Sequence, residues 1–174
     1  LKGLSVKNVW TDYGGAFHKG KQNIKDKNYF RQFKKNVTGK KILGAGRRGK
    51  NVLINLSGGL TIIIHMKMTG HLLYGAYEKR GDSWIAIHPP ALKDPFNRHI
   101  HLIFSLSNGK YLALSDTRKF AKVSLANTTE LVAHPDLIKL GPEPIHQPFY
   151  LNDFISRVRT KPSGRIKQVL MDQE

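Results

Sequence analysis

The chain has 174 residues, 40% of them apolar, with 29 Lys and Arg against 12 Asp and Glu, a formal net charge of +17 and a pI near 10.2. That length supports a core of its own, and the lack of cysteine excludes a disulfide framework, an iron–sulfur site and a thiolate zinc site within these residues. No apolar run approaches the ~20 residues of a membrane-spanning helix and no secretory signal pattern is present, so the charge points to a polyanion, nucleic acid ahead of a membrane surface or an acidic protein.

The charge is uneven: residues 1–75 carry 15 basic side chains against Asp12 and Asp26 alone, whereas residues 76–174 carry 14 basic and 10 acidic. In chain order, residues 4–10 predict a short strand, and residues 28–35 a small helix with Tyr29, Phe30 and Phe33 on one face. Residues 44–50 read as a glycine-interleaved turn. Two β-rich runs, 51–56 and 60–65, flank Ser57-Gly58-Gly59 and predict a hairpin, and 101–106 and 110–114 flank Ser107-Asn108-Gly109 in the same way. Between them, residues 74–98 read as a long connection holding Pro89-Pro90 and Asp94-Pro95, with a strand at 84–87. A further strand is expected at 121–125. The pattern predicts an antiparallel sandwich or barrel.

After Asn127 the texture changes. A helix start at 128–131 runs out at Gly141-Pro142, and the proline-studded residues 141–144 read as a linker. Asn152 or Asp153 is expected to cap a helix carrying Phe154, Ile155 and Val158 and stopped by Pro162, and Ser163 to cap another carrying Ile166, Val169 and Leu170. The chain opens on Leu1 and closes directly after an apolar helical stripe, which is expected of a piece of a longer protein.

Four basic clusters stand out: Lys34-Lys35, Lys40-Lys41, Arg47-Arg48 with Lys50, and Arg118-Lys119 with Lys122. Glycines around the third allow a backbone to approach a phosphate that the cations neutralise. In Arg118-Lys119-Phe120 an aromatic between cations has the chemistry of a wedge between bases, although Phe120 and Met68, taken singly, are commoner as core residues. His99 and His101 are expected on one face of a strand, but no cysteine or close carboxylate beyond Asp94 and Asp116 completes a ligand set, so no metal is expected in this segment. No nucleophile–base motif declares itself.

Six collinear strings give a more specific signal: Arg47-Arg48-Gly49-Lys50, Ile64-His65-Met66-Lys67-Met68-Thr69-Gly70-His71-Leu72, Ser107-Asn108-Gly109-Lys110, Asp116-Thr117-Arg118-Lys119-Phe120, Leu140-Gly141-Pro142-Glu143-Pro144, and Ile166-Lys167-Gln168-Val169-Leu170-Met171-Asp172-Gln173. In this order the series resembles the formamidopyrimidine-DNA glycosylase and endonuclease VIII family, on its bacterial formamidopyrimidine branch. The resemblance implies a mainly β fold: an antiparallel two-sheet β-sandwich followed by the first helices of a helix-two-turn-helix domain. The corresponding divisions are a sandwich over 1–126, a linker over 127–148 and the start of the helical domain over 149–174. It implies base-excision repair, in which an oxidised purine such as 8-oxoguanine or a formamidopyrimidine is flipped from the duplex, its glycosidic bond is cut and the strand is eliminated at the abasic site. The family's nucleophile is the amine of an N-terminal proline followed by glutamate, a segment expected ahead of Leu1.

By the same resemblance Lys50 falls on the lysine that acts near the abasic-site phosphate as proton donor for β-elimination. Met68, Arg118 and Phe120 fall on the side chains that fill the void left by the flipped base; Lys119 faces phosphate and His99 contacts DNA. Ser163 stands where the family carries a basic residue, between Lys161 and Arg165. No cofactor is implied in this segment, and one zinc ion is expected on cysteines beyond Glu174. The implied partner is double-stranded DNA containing oxidised bases or abasic sites, bound by a monomer in the bacterial cytoplasm with no membrane. The competing readings are a non-catalytic module that holds damaged DNA and a single-strand or RNA-binding barrel, the latter disfavoured by the few aromatics at sheet positions. Borohydride trapping on 8-oxoguanine duplex is expected to give a covalent adduct only when the upstream Pro-Glu segment is present; an adduct formed by the 174 residues alone would contradict the assignment of the nucleophile.

Overall fold

A computed structural model describes residues 1–141 and 150–171. The chain divides into two compact units, Leu1–Glu130 and Leu131–Glu174. The first unit is built from nine strands: β1 (Val6–Thr11), β2 (Ile42–Arg48), β3 (Asn51–Leu56), β4 (Leu60–His65), β5 (His71–Arg80), β6 (Ser83–His88), β7 (Ile100–Leu106), β8 (Tyr111–Ser115) and β9 (Lys122–Asn127). They form a five-stranded sheet ordered β1-β7-β8-β5-β6 and a four-stranded sheet ordered β2-β3-β4-β9, with antiparallel pairing throughout. The fold is therefore the mainly β, two-sheet sandwich that the sequence implied.

Alternation explains the core. Ile62 and Ile64 of β4, Ile54 and Leu56 of β3 and Val123 of β9 meet Val9 of β1, Leu102 and Phe104 of β7 and Leu112 and Leu114 of β8, all buried. A second cluster, with Tyr77, Leu92, Ile100, Ile103 and Ala113 buried and Trp10, Trp84 and Tyr111 packed against it, covers the other face of the five-stranded sheet. Helix α1 (Lys27–Val37) begins at Asp26, whose Oδ1 accepts the Tyr29 N–H at 2.7 Å, and buries Phe33 and Val37 in the main cluster.

Both expected hairpins form in register: Leu56 faces Leu60 across Ser57-Gly58-Gly59, and Ser105 faces Tyr111 across the Asn108-Gly109 turn. Two expectations are corrected. Residues 44–48 are not a turn but most of β2, because pairing with β3 from Ile42↔Leu56 to Arg48↔Asn51 outweighs the low strand preference of Gly44 and Gly46; only Gly49-Lys50 turn. Residues 74–80 are not a connection but the last seven residues of the ten-residue β5, which pairs first with β8 and then with β6. Gly75 is needed there, since a Cβ would lie 2.4 Å from the His88 carbonyl oxygen and 2.3 Å from Leu92 Cδ1.

Residues 128–133 form a 3-10 helix at the division between the units, and the described α-helices of the second unit are α2 (Leu151–Arg159) and α3 (Ile166–Met171). Neither expected cap operates: α2 begins after Tyr150 with no side-chain cap, and α3 starts three residues beyond Ser163. Residues 142–144 and 172–173 of the family strings and residues 142–148 of the expected 127–148 linker lie outside the described residues. No helix among those described is long and apolar enough to cross a membrane. Phe104→Ala, which empties a side chain 1% exposed between the sheets, is expected to cost about 3–5 kcal/mol, measured by urea unfolding.

Candidate nucleic-acid interface

Strand register decides which loops meet. Asn51, His65 and Lys122 form one row across β3, β4 and β9, which sets the Gly49-Lys50 turn, the loop after His65 and the loop before Lys122 at one end of the sheet. With strands about 4.8 Å apart, the outer members of that row are roughly 10 Å apart. The five-stranded sheet brings His71, Ser115 and Ile100 to its own end in the same way, so the 66–70 and 116–121 loops bridge the two sheets there.

The 116–121 loop is organised by Asp116, which is fully buried. Its Oδ2 accepts the Ala121 N–H at 2.7 Å, and its Oδ1 accepts the Arg118 N–H at 3.3 Å and the hydroxyl of Thr69 from the neighbouring loop. Burial pushes this carboxyl's pKa up, but the Ala121 N–H, the Thr69 hydroxyl and the Arg118 and Phe120 N–H groups together outweigh it and leave the pKa below its ordinary value. The loop carries Lys119 at φ 55, and the facing loop carries Lys67 at φ 57, both in the left-handed region. Gly70 lets the facing loop close on itself, since a Cβ would stand 2.5 Å from the Met66 oxygen.

These constraints place three of the sequence-predicted residues together. Met68 is 73% exposed and Phe120 48% exposed, so neither is the core residue expected when it is taken singly. Arg118 lies between them: its Nη1 donates to Met68 Sδ at 3.0 Å and its Cζ stands 4.5 Å from the Phe120 ring centroid. Lys119 turns the other way. Its Nζ meets Asp12 Oδ2 at 2.9 Å, and its carbonyl accepts Lys25 Nζ at 2.6 Å. Asp12 also holds the His101 ring, with Nδ1 at 2.9 Å from Oδ2. Burial raises the Asp12 pKa, but the hydrogen bonds and charges of His101 and Lys119 together outweigh it, for a net downward shift.

Lys50 sits on the two-residue turn between β2 and β3, where Gly49 takes φ 55 and its carbonyl accepts Arg47 Nη1 at 2.9 Å. His99 is half-buried just ahead of β7, and its carbonyl accepts the Asp116 N–H at 2.9 Å. His99 and His101 do not share a strand face as expected: His99 lies outside β7 with φ −85 and ψ 63, and only His101 enters the strand. His71 joins the loops differently, its ring nitrogens 3.0 Å from the Thr69 oxygen and 2.9 Å from Asn97 Oδ1, with Phe96 stacked on it at 4.8 Å. The chain has no cysteine, and among the described residues no three His, Asp or Glu side chains converge. Of the residues that organise this end, sequence reasoning missed the loop-binding role of Asp116 and the whole of the Asp12 and Lys25 contribution. No local signal marked Asp116, because the left-handed turn it closes falls on Lys119 and not on a glycine.

The arrangement is a cationic tip on a β-sandwich, with an exposed thioether, guanidinium and aromatic ring in contact, and such a surface suits the interior and backbone of a nucleic acid duplex. The sequence model of the formamidopyrimidine-DNA glycosylase N-terminal domain matches residues 16–123, and the chain belongs to that family. It is 39% identical over 142 residues to the formamidopyrimidine-DNA glycosylase of Pelotomaculum thermopropionicum, covering 82% of this chain and 46% of that protein. With the enzyme of Desulforamulus reducens it shares 38% over 146 residues, 82% and 43% of the two chains. The chain thus spans about half the length of the curated relatives it matches. Among solved structures, Lactococcus lactis formamidopyrimidine-DNA glycosylase bound non-covalently to DNA containing an abasic site superposes with a TM-score of 0.73 at 25% identity, covering 99% of this chain and 56% of that one. The same enzyme in complex with DNA containing a formamidopyrimidine gives 0.72, covering 98% and 55%.

The Asp116 carboxylate, held below its ordinary pKa near 4, contributes its stability in full above that pH and loses it as pH falls through the depressed folded value. Asp116→Asn is expected to cost about 1–3 kcal/mol at pH 7, with the gap to wild type narrowing at pH 3; urea unfolding at the two pH values measures it, and an equal gap at both would exclude the charge as the cause.

Proposed function

We propose that these residues form the lesion-side DNA-binding surface of a DNA glycosylase with AP lyase activity, which removes oxidised purines such as 8-oxoguanine and formamidopyrimidines from duplex DNA. The observation that carries this reading is the exposed contact set of Met68, Arg118 and Phe120 at one end of the sandwich. A base turned out of a duplex leaves a hole the thickness of a base pair. A planar guanidinium backed by an aromatic ring fills such a hole by stacking and satisfies the hydrogen-bonding edge of the orphaned partner base, and a thioether adapts to what remains.

Lys50, on the neighbouring turn of the same end, supplies a cation for the phosphate beside the abasic sugar and an ammonium proton for β-elimination once the base is gone. His99 and the 116–121 loop, joined through the Asp116 N–H, extend the contact along the strand. The chain's own residues therefore bind, wedge and neutralise, and the amine nucleophile belongs to the family's Pro-Glu segment. The helices α2 and α3 correspond to the start of a helix-two-turn-helix domain, and the zinc ion to a segment outside these 174 residues. The DNA-bound relatives support this reading, since their partners carry an abasic site or a formamidopyrimidine.

Arg118→Ala and Phe120→Ala are expected to abolish the preference for a duplex with an abasic-site analogue over an intact one. Lys50→Ala should weaken both and flatten the slope of log K against log salt by ~0.9. Fluorescence anisotropy between 50 and 200 mM salt, on the order of the range where such slopes are read, measures both effects; a wild-type chain that binds the two duplexes equally would overturn the assignment.

A further inference from the structure

The segment between β1 and α1 has no part in the function above, yet it is built to present an aromatic and cations. Gly15 at φ 131 and Gly20 at φ 79 bracket a single 3-10 turn, Ala16–His18, at whose tip Phe17 is 81% exposed. Lys21 Nζ stands 4.3 Å above the Phe17 ring and the His18 ring meets it edge-on at 5.2 Å. The root of the loop is fastened, because Gly20 N–H donates to Asp26 Oδ2 at 2.8 Å, on the same carboxylate that caps α1. Its other fastening is the 2.6 Å bond from Lys25 Nζ to the Lys119 carbonyl, which ties it to the loop bearing Arg118 and Phe120.

Cations outnumber carboxylates along this path. Lys21 lies over the Phe17 ring, and Lys25 Nζ stands 5.3 Å from the Tyr13 ring centroid and on the Lys119 carbonyl; burial lowers the Lys25 pKa, with the Asp116 charge opposing and the Lys21 charge adding to the shift. Asp12 and Asp26 are the only carboxylates in residues 1–75, and both are engaged elsewhere, Asp26 on backbone N–H groups and Asp12 on His101 and Lys119. A region that concentrates like charge in the free protein is relieved by an anion that bridges it.

We propose that the 14–25 loop is a second DNA-contacting element, in which Lys21 and Lys25 form a shelf for phosphodiesters of the strand flanking the lesion and Phe17 packs against a deoxyribose beside them. This rests on the DNA-binding function proposed above. The shelf reads backbone and not base, so it strengthens binding to damaged and intact duplexes alike, whereas the Met68–Arg118–Phe120 set discriminates between them.

Lys21→Ala and Phe17→Ala alter exposed side chains and leave the core untouched. In anisotropy titrations of the 174-residue chain with intact and abasic-analogue duplexes, Lys21→Ala is expected to weaken both by the same factor, about fivefold, and to flatten the log K against log salt slope by ~0.9. Phe17→Ala should weaken both equally with the slope unchanged. Wild-type affinity and slope for both variants on both duplexes would overturn the proposal. The Arg118→Ala variant separates the two ideas: loss of lesion preference there with no effect at residues 17 and 21 sinks the shelf alone, while a wild type without lesion preference sinks the function and leaves the Lys21 slope to decide the shelf.

Discussion

A single buried carboxylate holds the working end of this molecule together. Asp116 closes the 116–121 loop through the Ala121 and Arg118 N–H groups and joins it to the 66–70 loop through the Thr69 hydroxyl, while its own N–H reaches the His99 carbonyl. Those bonds are made to an ionised group out of water, where each is stronger than a neutral one and where losing a partner leaves a charge unsatisfied. The exposed residues therefore sit on a rigid base. Arg118 rests between Met68 and Phe120 because the backbone on both sides of the contact is pinned, and a surface ordered in advance loses less entropy on binding.

The rest of the charge is arranged around that anchor. Lys119 is turned away from Arg118 by its left-handed backbone and is received by Asp12, which also takes His101, while Lys25 caps the Lys119 carbonyl. Cation and anion pairs thus serve the loop's geometry. The net charge of +17 acquires a direction in this way: the turn carrying Lys50, the two bridging loops and the 14–25 loop all belong to one unit, and the first three share one end of its sandwich.

Strands flagged by turn chemistry were the legible part of the fold. The Gly58-Gly59 and Asn108-Gly109 turns impose hairpins locally, so β3, β4, β7 and β8 were visible with nearly their observed bounds. Strands β2 and the second half of β5 were not, for a physical reason: Gly44 and Gly46 carry no strand preference, and Glu78-Lys79-Arg80 carry no apolar alternation. Their extended form comes from ladder hydrogen bonds to β3 and β6, the next strands along the chain, and not from any strand preference of their own residues. The absent helix caps at Asn152, Asp153 and Ser163 are the reverse case, in which a local preference was present and the backbone began its helix elsewhere.

The site divides along the same line. The sequence by itself determined the chemistry on offer: an amino-terminal excess of cations, the Arg118-Lys119-Phe120 triplet, a methionine in a glycine-ended loop, and the six ordered strings that mark the family. Tertiary structure alone decided that Met68 and Phe120 are surface residues, since fifty residues of chain separate Met68 from Arg118 and only the β4–β9 and β5–β8 pairings bring their loops face to face. It also decided that the two lysines at 25 and 119 cooperate and that His99 and His101 part company. Composition and local pattern report which groups a chain owns; burial and direction depend on which strands pair, and that is settled by the whole core at once.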